Sequence, residues 1–306
     1  MSTLLQNVCD VPLPFRYNEK FREPLRARLR RIALGSAYVM QPKRLELVPS
    51  LVVHTARHLF GAELTLPALL DRHRPVGRKG FIGISNDMSI DSLLYAYSRG
   101  VFPFCHLGPM KWWAPEERAV LFFNKAHIES GTRKEIKRDR FDVTFDRNFA
   151  AVMRACAEPR PGKTPLTWLT PRVMRALWDL HKAGLAHSVE VWDLEPRLVG
   201  GLFGIAIGGV FFGESQFSRV NGASKIASTF LNHHLADWGF VLRDAKWISE
   251  HHAGAGFEVI PRARFNALLQ DHTSRPTRRG IWQEADDFDL ASAIANQTAS
   301  MKHPSD

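Results

Sequence analysis

Two consecutive glycines, Gly208-Gly209, separate two runs rich in apolar and β-favouring residues, 198–207 and 210–212. A two-residue glycine connection there predicts a tight antiparallel hairpin. Upstream, residues 187–192 alternate as His, Ser, Val, Glu, Val, Trp, which predicts a third strand. Thr170-Pro171 supplies a cap and first-turn pair for a helix that runs to Gly184. Downstream, Ile226, Phe230, Leu231, Leu235 and Trp238 share one face of a helix over 223–238, stopped by Gly239, and 240–247 reads as another strand. The order helix, three strands, helix, strand predicts an α+β or α/β domain over about 120–275.

Composition narrows the class. The chain has 306 residues, 45% hydrophobic and 24% charged, which excludes a wholly disordered chain, a collagen-like fibre and a polytopic membrane protein. No apolar run approaches the roughly 18 residues that span a bilayer, and the first twenty residues lack the pattern of a secretory signal. Three cysteines, Cys9, Cys105 and Cys156, make no disulfide framework, so a reducing cytoplasm is expected. The net charge is +10, and residues 1–80 carry 14 Lys+Arg against 6 Asp+Glu, so +8 of it lies in the first quarter. Such a balance fits a polyanionic partner, of which nucleic acid is the common kind.

The basic quarter has its own pattern. Residues 1–20 read as an irregular lead. Phe21, Leu25, Leu29 and Ile32 form a helical stripe with Pro24 tolerated in the first turn, and Arg22, Arg26, Arg28, Arg30 and Arg31 surround it. A second helix is expected over 51–60, and 71–80 reads as a basic Gly/Pro linker. Ser89 caps a helix whose face is Ile90, Leu93, Leu94 and Tyr97 and which Gly100 ends. The following stretch, 101–121, is too rich in proline and aromatics to predict regular structure. No internal repeat is visible.

Several segments together carry a resemblance: SRGVFPF (98–104), WWAPEERAVL (112–121), TWLT (167–170), LHKAGLAHSVEVW (180–192), LVGGLFGIAIGG (198–209), FFGESQFS (211–218), ASKIA (223–227) and IPRARF (260–265). Over about 190 residues, 80–270, the chain resembles the leucyl/phenylalanyl-tRNA–protein transferases. The resemblance implies an α+β chain: an acetyltransferase-like (GNAT) domain, without acetyl-CoA, after a small N-terminal domain. Here a helical extension precedes both. The expected domains are 1–80, 81–120 and 121–275, followed by a polar tail over 276–306. The implied reaction moves leucine, phenylalanine or methionine from aminoacyl-tRNA to the N-terminal amine of a protein that begins with arginine or lysine, marking it for degradation.

That chemistry needs a neutral amine, a site for a tetrahedral oxyanion, a proton route to the departing ribose oxygen, an apolar pocket and a carboxylate for the cationic acceptor. By resemblance, Glu214 lies close to the aminoacyl group, and Asp244 relays the proton through a neighbour two residues on. The family has glutamine there, whereas this chain has Lys246. Period-two spacing places Asp244 and Lys246 on one strand face, where an ammonium would weaken the aspartate as a base. Gln216 stands where the family has methionine, near the donor pocket, and Phe217 follows it. Phe104 replaces a tryptophan. Trp112 and Trp113 are candidates for stacking on the terminal adenosine or for interdomain packing. Ser224 and Lys225 open a helix whose amides suit a phosphate or the 3′ ribose, although Gly222 stands where the family has asparagine.

No metal or cofactor is expected. His233-His234 and His251-His252 point in different directions on a helix, and the Arg219–Ser224 run is a weak match to an acyl-CoA loop. The expected partners are aminoacyl-tRNA and the acceptor protein, with no membrane and no DNA. The basic helix and the 71–80 linker are expected to contact the tRNA backbone. Lys246, Gln216 and Gly222 leave two alternatives open: a diverged paralogue that acylates another amine from aminoacyl-tRNA or acyl-CoA, and a non-catalytic tRNA-binding protein.

Overall fold

The computed structural model describes residues 21–39, 48–61, 64–106, 108–159, 166–285 and 288–295. The lead over 1–20 lies outside the described residues. Among the described residues three helices come first: α1 (Leu25–Val39), α2 (Val48–Leu59) and α3 (Leu66–Arg72). Pro24 stands just before α1, where its missing N–H costs no helical bond. The apolar stripe of α1 does not face the core, since Leu25, Leu29 and Ile32 are 70%, 58% and 40% exposed. The segment docks through other groups. Phe21 meets Trp178 edge-on at 6.3 Å, and Arg31, paired with Glu23, donates to the His106 carbonyl at 3.2 Å.

A small antiparallel sheet of order β1-β3-β2 follows, from β1 (Phe81–Ile84), β2 (Phe102–Pro103) and β3 (Lys111–Trp113), with α4 (Ile90–Tyr97) inserted. Ser89 accepts the Ser92 N–H as the expected cap. The stretch 101–121, expected to be irregular, instead supplies β2, β3 and most of β4 (Glu117–Phe122). Their partners are distant in sequence: Trp113 pairs with Phe81, and β4 with β9 (Leu242–Lys246) and β10 (Glu258–Pro261). Strand formation there depends on non-local pairing, which local composition does not reveal.

The main sheet has seven strands in the order β10-β4-β9-β8-β7-β6-β5, completed by β5 (Asp142–Phe145), β6 (Ala186–Trp192), β7 (Leu198–Ile207) and β8 (Val210–Ser218). The Gly208-Gly209 hairpin joins β7 to β8 as expected. After α5 (Ser130–Lys137), one hydrophobic cluster holds α6 (Phe149–Ala157) and α7 (Pro171–Lys182) against the sheet and also contains Phe21, Leu66, Leu69 and Trp112, so the N-terminal elements share its core. The second lies beneath α8 (Ala223–Asp237). Part of the tail expected to be polar belongs to that second core: Trp282 is 1% exposed and stacks on His187 at 3.7 Å. Apolar burial of a large ring overrides the polar composition around it.

Among the described residues only β8 and β9 run parallel, and only for three pairs, ending at Phe212↔Asp244. Beyond that pair each strand bulges on its outer side. Gly204 faces Gly213 and Phe203 faces Ser215, which leaves Glu214 extra in β8. Val120 faces Asp244 and Ala119 faces Lys246, which leaves Ala245 extra in β9. Bulges bend and twist a strand, and here they occur where the parallel pairing stops. A cavity occupies that place.

Candidate active site

The cavity has a volume of about 340 Å³. One side is aromatic, made by Phe102, Phe104, Trp168, Phe203 and Trp247. Trp247 stands edge-on to Phe102 at 5.0 Å and to Phe104 at 5.4 Å, and Phe104 lies 6.0 Å from Trp168. The other side is polar and comes from the bulged strands: Glu214, Ser215, Gln216, Asp244 and Lys246. An apolar enclosure with a few convergent polar groups is the usual character of a small-ligand site.

The polar side is organised by two ion pairs. Asp244 is fully buried and accepts from Arg118 Nε at 2.7 Å, Arg118 Nη2 at 2.9 Å and the Lys246 backbone N–H at 3.0 Å. Arg118 also donates through Nη1 to the Gly100 carbonyl at 2.6 Å, which joins the main sheet to the turn after α4. Glu214, on the bulge, accepts from Tyr97 Oη at 2.8 Å and from Lys246 Nζ at 2.6 Å. Lys246 Nζ donates as well to the Gly213 carbonyl at 2.5 Å. Burial pushes the Glu214 carboxyl up, against the Lys246 ammonium, which works in the opposite direction. Burial beside Glu214 likewise holds the Tyr97 hydroxyl well above its ordinary value, so it stays a donor.

This geometry corrects the expected relation between Asp244 and Lys246. The extra residue Ala245 and the left-handed φ of Lys246, +65°, break the period of two. The cation paired with Asp244 is therefore Arg118, while the Lys246 ammonium crosses the cleft to Glu214. Both Asp244 oxygens are occupied by N–H donors, so the carboxylate holds Arg118 and the Lys246 backbone in place.

Phe104 and Gln216 line the cavity with Glu214, Asp244 and Lys246. Five other candidates do not. Trp112 is fully buried and donates through Nε1 to the Ser85 carbonyl at 2.8 Å. Trp113, 6% exposed, donates to the Phe104 carbonyl at 2.7 Å. Neither indole has a face for an adenine: both pack the small sheet, and Trp113 fixes Phe104. Phe217, 7% exposed, belongs to the hydrophobic core instead, with the Arg219 guanidinium 5.4 Å from its ring centre. Ser224 and Lys225 sit at the start of α8, where the Ser224 N–H donates to Ser218 Oγ at 3.2 Å and Lys225 Nζ pairs with Glu129 at 2.5 Å. Lys225 borders a separate cavity of about 70 Å³. Strand alternation and helix direction send these groups away from the bulges.

Sequence reasoning missed Arg118, Tyr97, Trp168 and Trp247. Arg118 and Trp168 lie inside the WWAPEERAVL and TWLT segments, and a charged residue at the start of an apolar strand run is a usable signal for Arg118. Tyr97 reads locally as one more residue of a helix face, and its hydroxyl gives no periodic signature.

Comparison with known proteins settles the family. The model described as "Leucyl/phenylalanyl-tRNA protein transferase" matches residues 120–270, and that of its N-terminal domain matches 86–116. The chain belongs to this family. A leucyl/phenylalanyl-tRNA–protein transferase of Azotobacter vinelandii is 43% identical over 206 residues, 67% of this chain and 89% of the relative. One from Pseudomonas syringae pv. syringae is 44% identical over 65% of this chain and 86% of the relative. One from Nitrosospira multiformis is 41% identical over 66% and 87%. The matched regions contain β2, β3 and the whole β8–β9 cleft, while α1, α2 and α3 precede them. Among the described residues no helix is long and apolar enough to cross a membrane.

Proposed function

We propose that the chain transfers leucine, phenylalanine or methionine from aminoacyl-tRNA to the N-terminal amine of a protein that begins with arginine or lysine. The observation that carries this reading is the placement of an aromatic enclosure directly beside the Glu214–Lys246 pair, inside the matched region. The fit is chemical. Apolar donor side chains gain by leaving water among Phe102, Phe104, Trp168 and Trp247. The acceptor amine attacks the ester carbonyl carbon, the bond to the ribose oxygen breaks, and the proton lost by nitrogen ends on that oxygen. No cofactor or further energy source is required, because the ester is already activated and the gain lies in holding the two partners together.

In this reading Glu214 receives the cationic end of a substrate, with Tyr97 fixing its orientation. The Lys246 ammonium lies where it can stabilise the oxyanion. Asp244 and Arg118 position Lys246 from behind. The short parallel pairing of β8 and β9, which then diverge around the cavity, supports an acetyltransferase-like architecture for the seven-stranded sheet. The proposed modification marks the acceptor for degradation in the cytoplasm.

The direct test combines purified protein, charged leucyl-, phenylalanyl- and methionyl-tRNA, and a peptide beginning with arginine. Transfer is expected, and Glu214→Ala is expected to lower it at least tenfold, about 1.4 kcal/mol of transition-state stabilisation. One observation favours a second reading, transfer to a different amine: Lys246 already engages the carboxylate that a cationic acceptor would use. Transfer to a simple amine but not to the peptide would decide for it.

A further inference from the structure

A second cleft, of about 450 Å³, opens between the N-terminal segment and the start of α7. Its lining includes five arginines: Arg22, Arg28 and Arg31 from the N-terminal segment, and Arg172 and Arg175 from the first turns of α7. Glu23 is the one carboxylate among the described lining residues, and Arg31 already engages both of its oxygens at 2.8 Å. Arg22, Arg28 and Arg175 add positive charge to the cleft beyond that pair, from two elements more than a hundred residues apart. Thr170 and Pro171 also line it, so the amide end of α7, which has no acidic residue in its first turn, adds to the positive potential.

Its place relative to the active-site cavity matters as much as its charge. The cleft is lined by Cys105, His106 and Thr170, and the cavity by Phe104 and Trp168. Two short chain segments, 104–106 and 168–170, therefore border both. The Arg31 bond to the His106 carbonyl and the contact of Phe21 with Trp178 fix the N-terminal wall against the rest. The other half of the expected basic surface is placed differently, since Arg78 of the 71–80 segment faces Glu116 and Glu117 at 4.0 and 3.8 Å.

We propose that this arginine cleft binds consecutive phosphates of the RNA strand that carries the aminoacyl ester, and so aims its 3′ end into the neighbouring cavity. Guanidinium forks match phosphate oxygens, and several at one cleft suit a phosphodiester chain better than a single anion. Arg22, Arg28 and Arg31 precede the family match, so this wall is an addition to the matched region. The proposal rests on the transferase reading.

Binding of uncharged tRNA, measured against salt concentration on the full chain, tests it. Each lost phosphate contact lowers the log–log salt slope by roughly 0.7 to 0.9. Arg28→Gln and Arg175→Gln are expected to lower the slope by about that amount each and to weaken binding several-fold, while Arg28→Lys keeps the slope. Arg197→Gln, in the exposed β6–β7 turn, serves as the control and is expected to bind as the wild type. Circular dichroism melting checks that each variant is folded. Slopes equal to wild type in folded variants would overturn the proposal. So would displacement of the tRNA by inorganic phosphate or a mononucleotide at concentrations where an RNA hairpin does no better. If the wild type transfers leucine and these variants keep its KM for charged tRNA, the cleft proposal alone fails. If the wild type neither transfers nor binds tRNA, the transferase reading fails with it.

Discussion

At the scale of single residues, Lys246 carries the largest consequence. Its ammonium lies 2.6 Å from Glu214, in a pocket where both side chains are 8% exposed or less. A cationic substrate group must compete with it for the same carboxylate. Lys246→Gln removes the competitor, so the KM for a peptide beginning with arginine is expected to fall about tenfold, or about 1.4 kcal/mol. Because the same ammonium faces the developing oxyanion, kcat is expected to fall as well; an unchanged KM would show that Lys246 does not compete with the acceptor for Glu214. Glu190 shows the same physics away from the site. It is fully buried and accepts from Thr144 Oγ1, Ser188 Oγ and the Arg147 and Asn148 amides, and burial still pushes its carboxyl from 4.5 up to about 7. The folded protein holds this proton more tightly than the unfolded chain. The contribution is therefore full below about pH 4.5 and is lost as pH rises toward 7, on the order of 3 kcal/mol. Urea unfolding at pH 5 and pH 8 checks this: relative to Glu190→Gln, the wild type should lose ground at pH 8. A difference that does not vary with pH would mean that Glu190 is ionised throughout.

Elements explain why these residues meet. The helices α4 and α7 were legible because their ends are written locally: Ser89 and Thr170 accept the Ser92 and Val173 N–H groups, and Gly184, at φ +70°, follows the end of α7, whereas α3 and α6 were not read from the sequence. The hairpin was legible from Gly208-Gly209. The bulges at Glu214 and Ala245 were not, because an extra residue shows only against its partner strand. The Arg118–Asp244 pair is what spans β4 and β9 at the second bulge. Breaking a buried pair leaves an uncompensated charge, so Arg118→Met alone is expected to cost about 3–5 kcal/mol of stability. Replacing both partners, Arg118→Met with Asp244→Leu, should recover most of that loss in denaturant titrations. Simple additivity of the two single effects would show that the pair is not coupled.

Across the whole molecule, the basic N-terminal quarter is both charge and core. Leu66 and Leu69 of α3 are fully buried in the cluster that reaches Phe203 and Phe212. Removing two such leucines costs at least about 4 kcal/mol, which lowers Tm by roughly 8–16 °C. Deleting residues 1–80 is therefore expected to destabilise the protein far more than deleting 1–63, which keeps α3. Equal melting of the two truncated chains would mean that α3 does not stabilise the sheet. The long-range pairing of β4 with β9 and β10 has the same consequence: the core that supports the candidate active site closes only when segments far apart in sequence are present together.

By itself the sequence determined α1, α2, α4, α7 and α8, the β6–β7–β8 meander, the family and the candidates Glu214, Asp244, Lys246, Gln216 and Phe104, which the structure brings to one cavity. Those features depend on local capping, alternation and motifs, which a chain records in order. Only the tertiary structure decided that Lys246 pairs with Glu214 rather than facing Asp244. It also decided that Trp112, Trp113 and Phe217 are packing groups, and that Arg118, Tyr97 and Trp247 complete the site. The reason is physical: strand register and bulges determine which way a side chain points, and both are set by the partner strand.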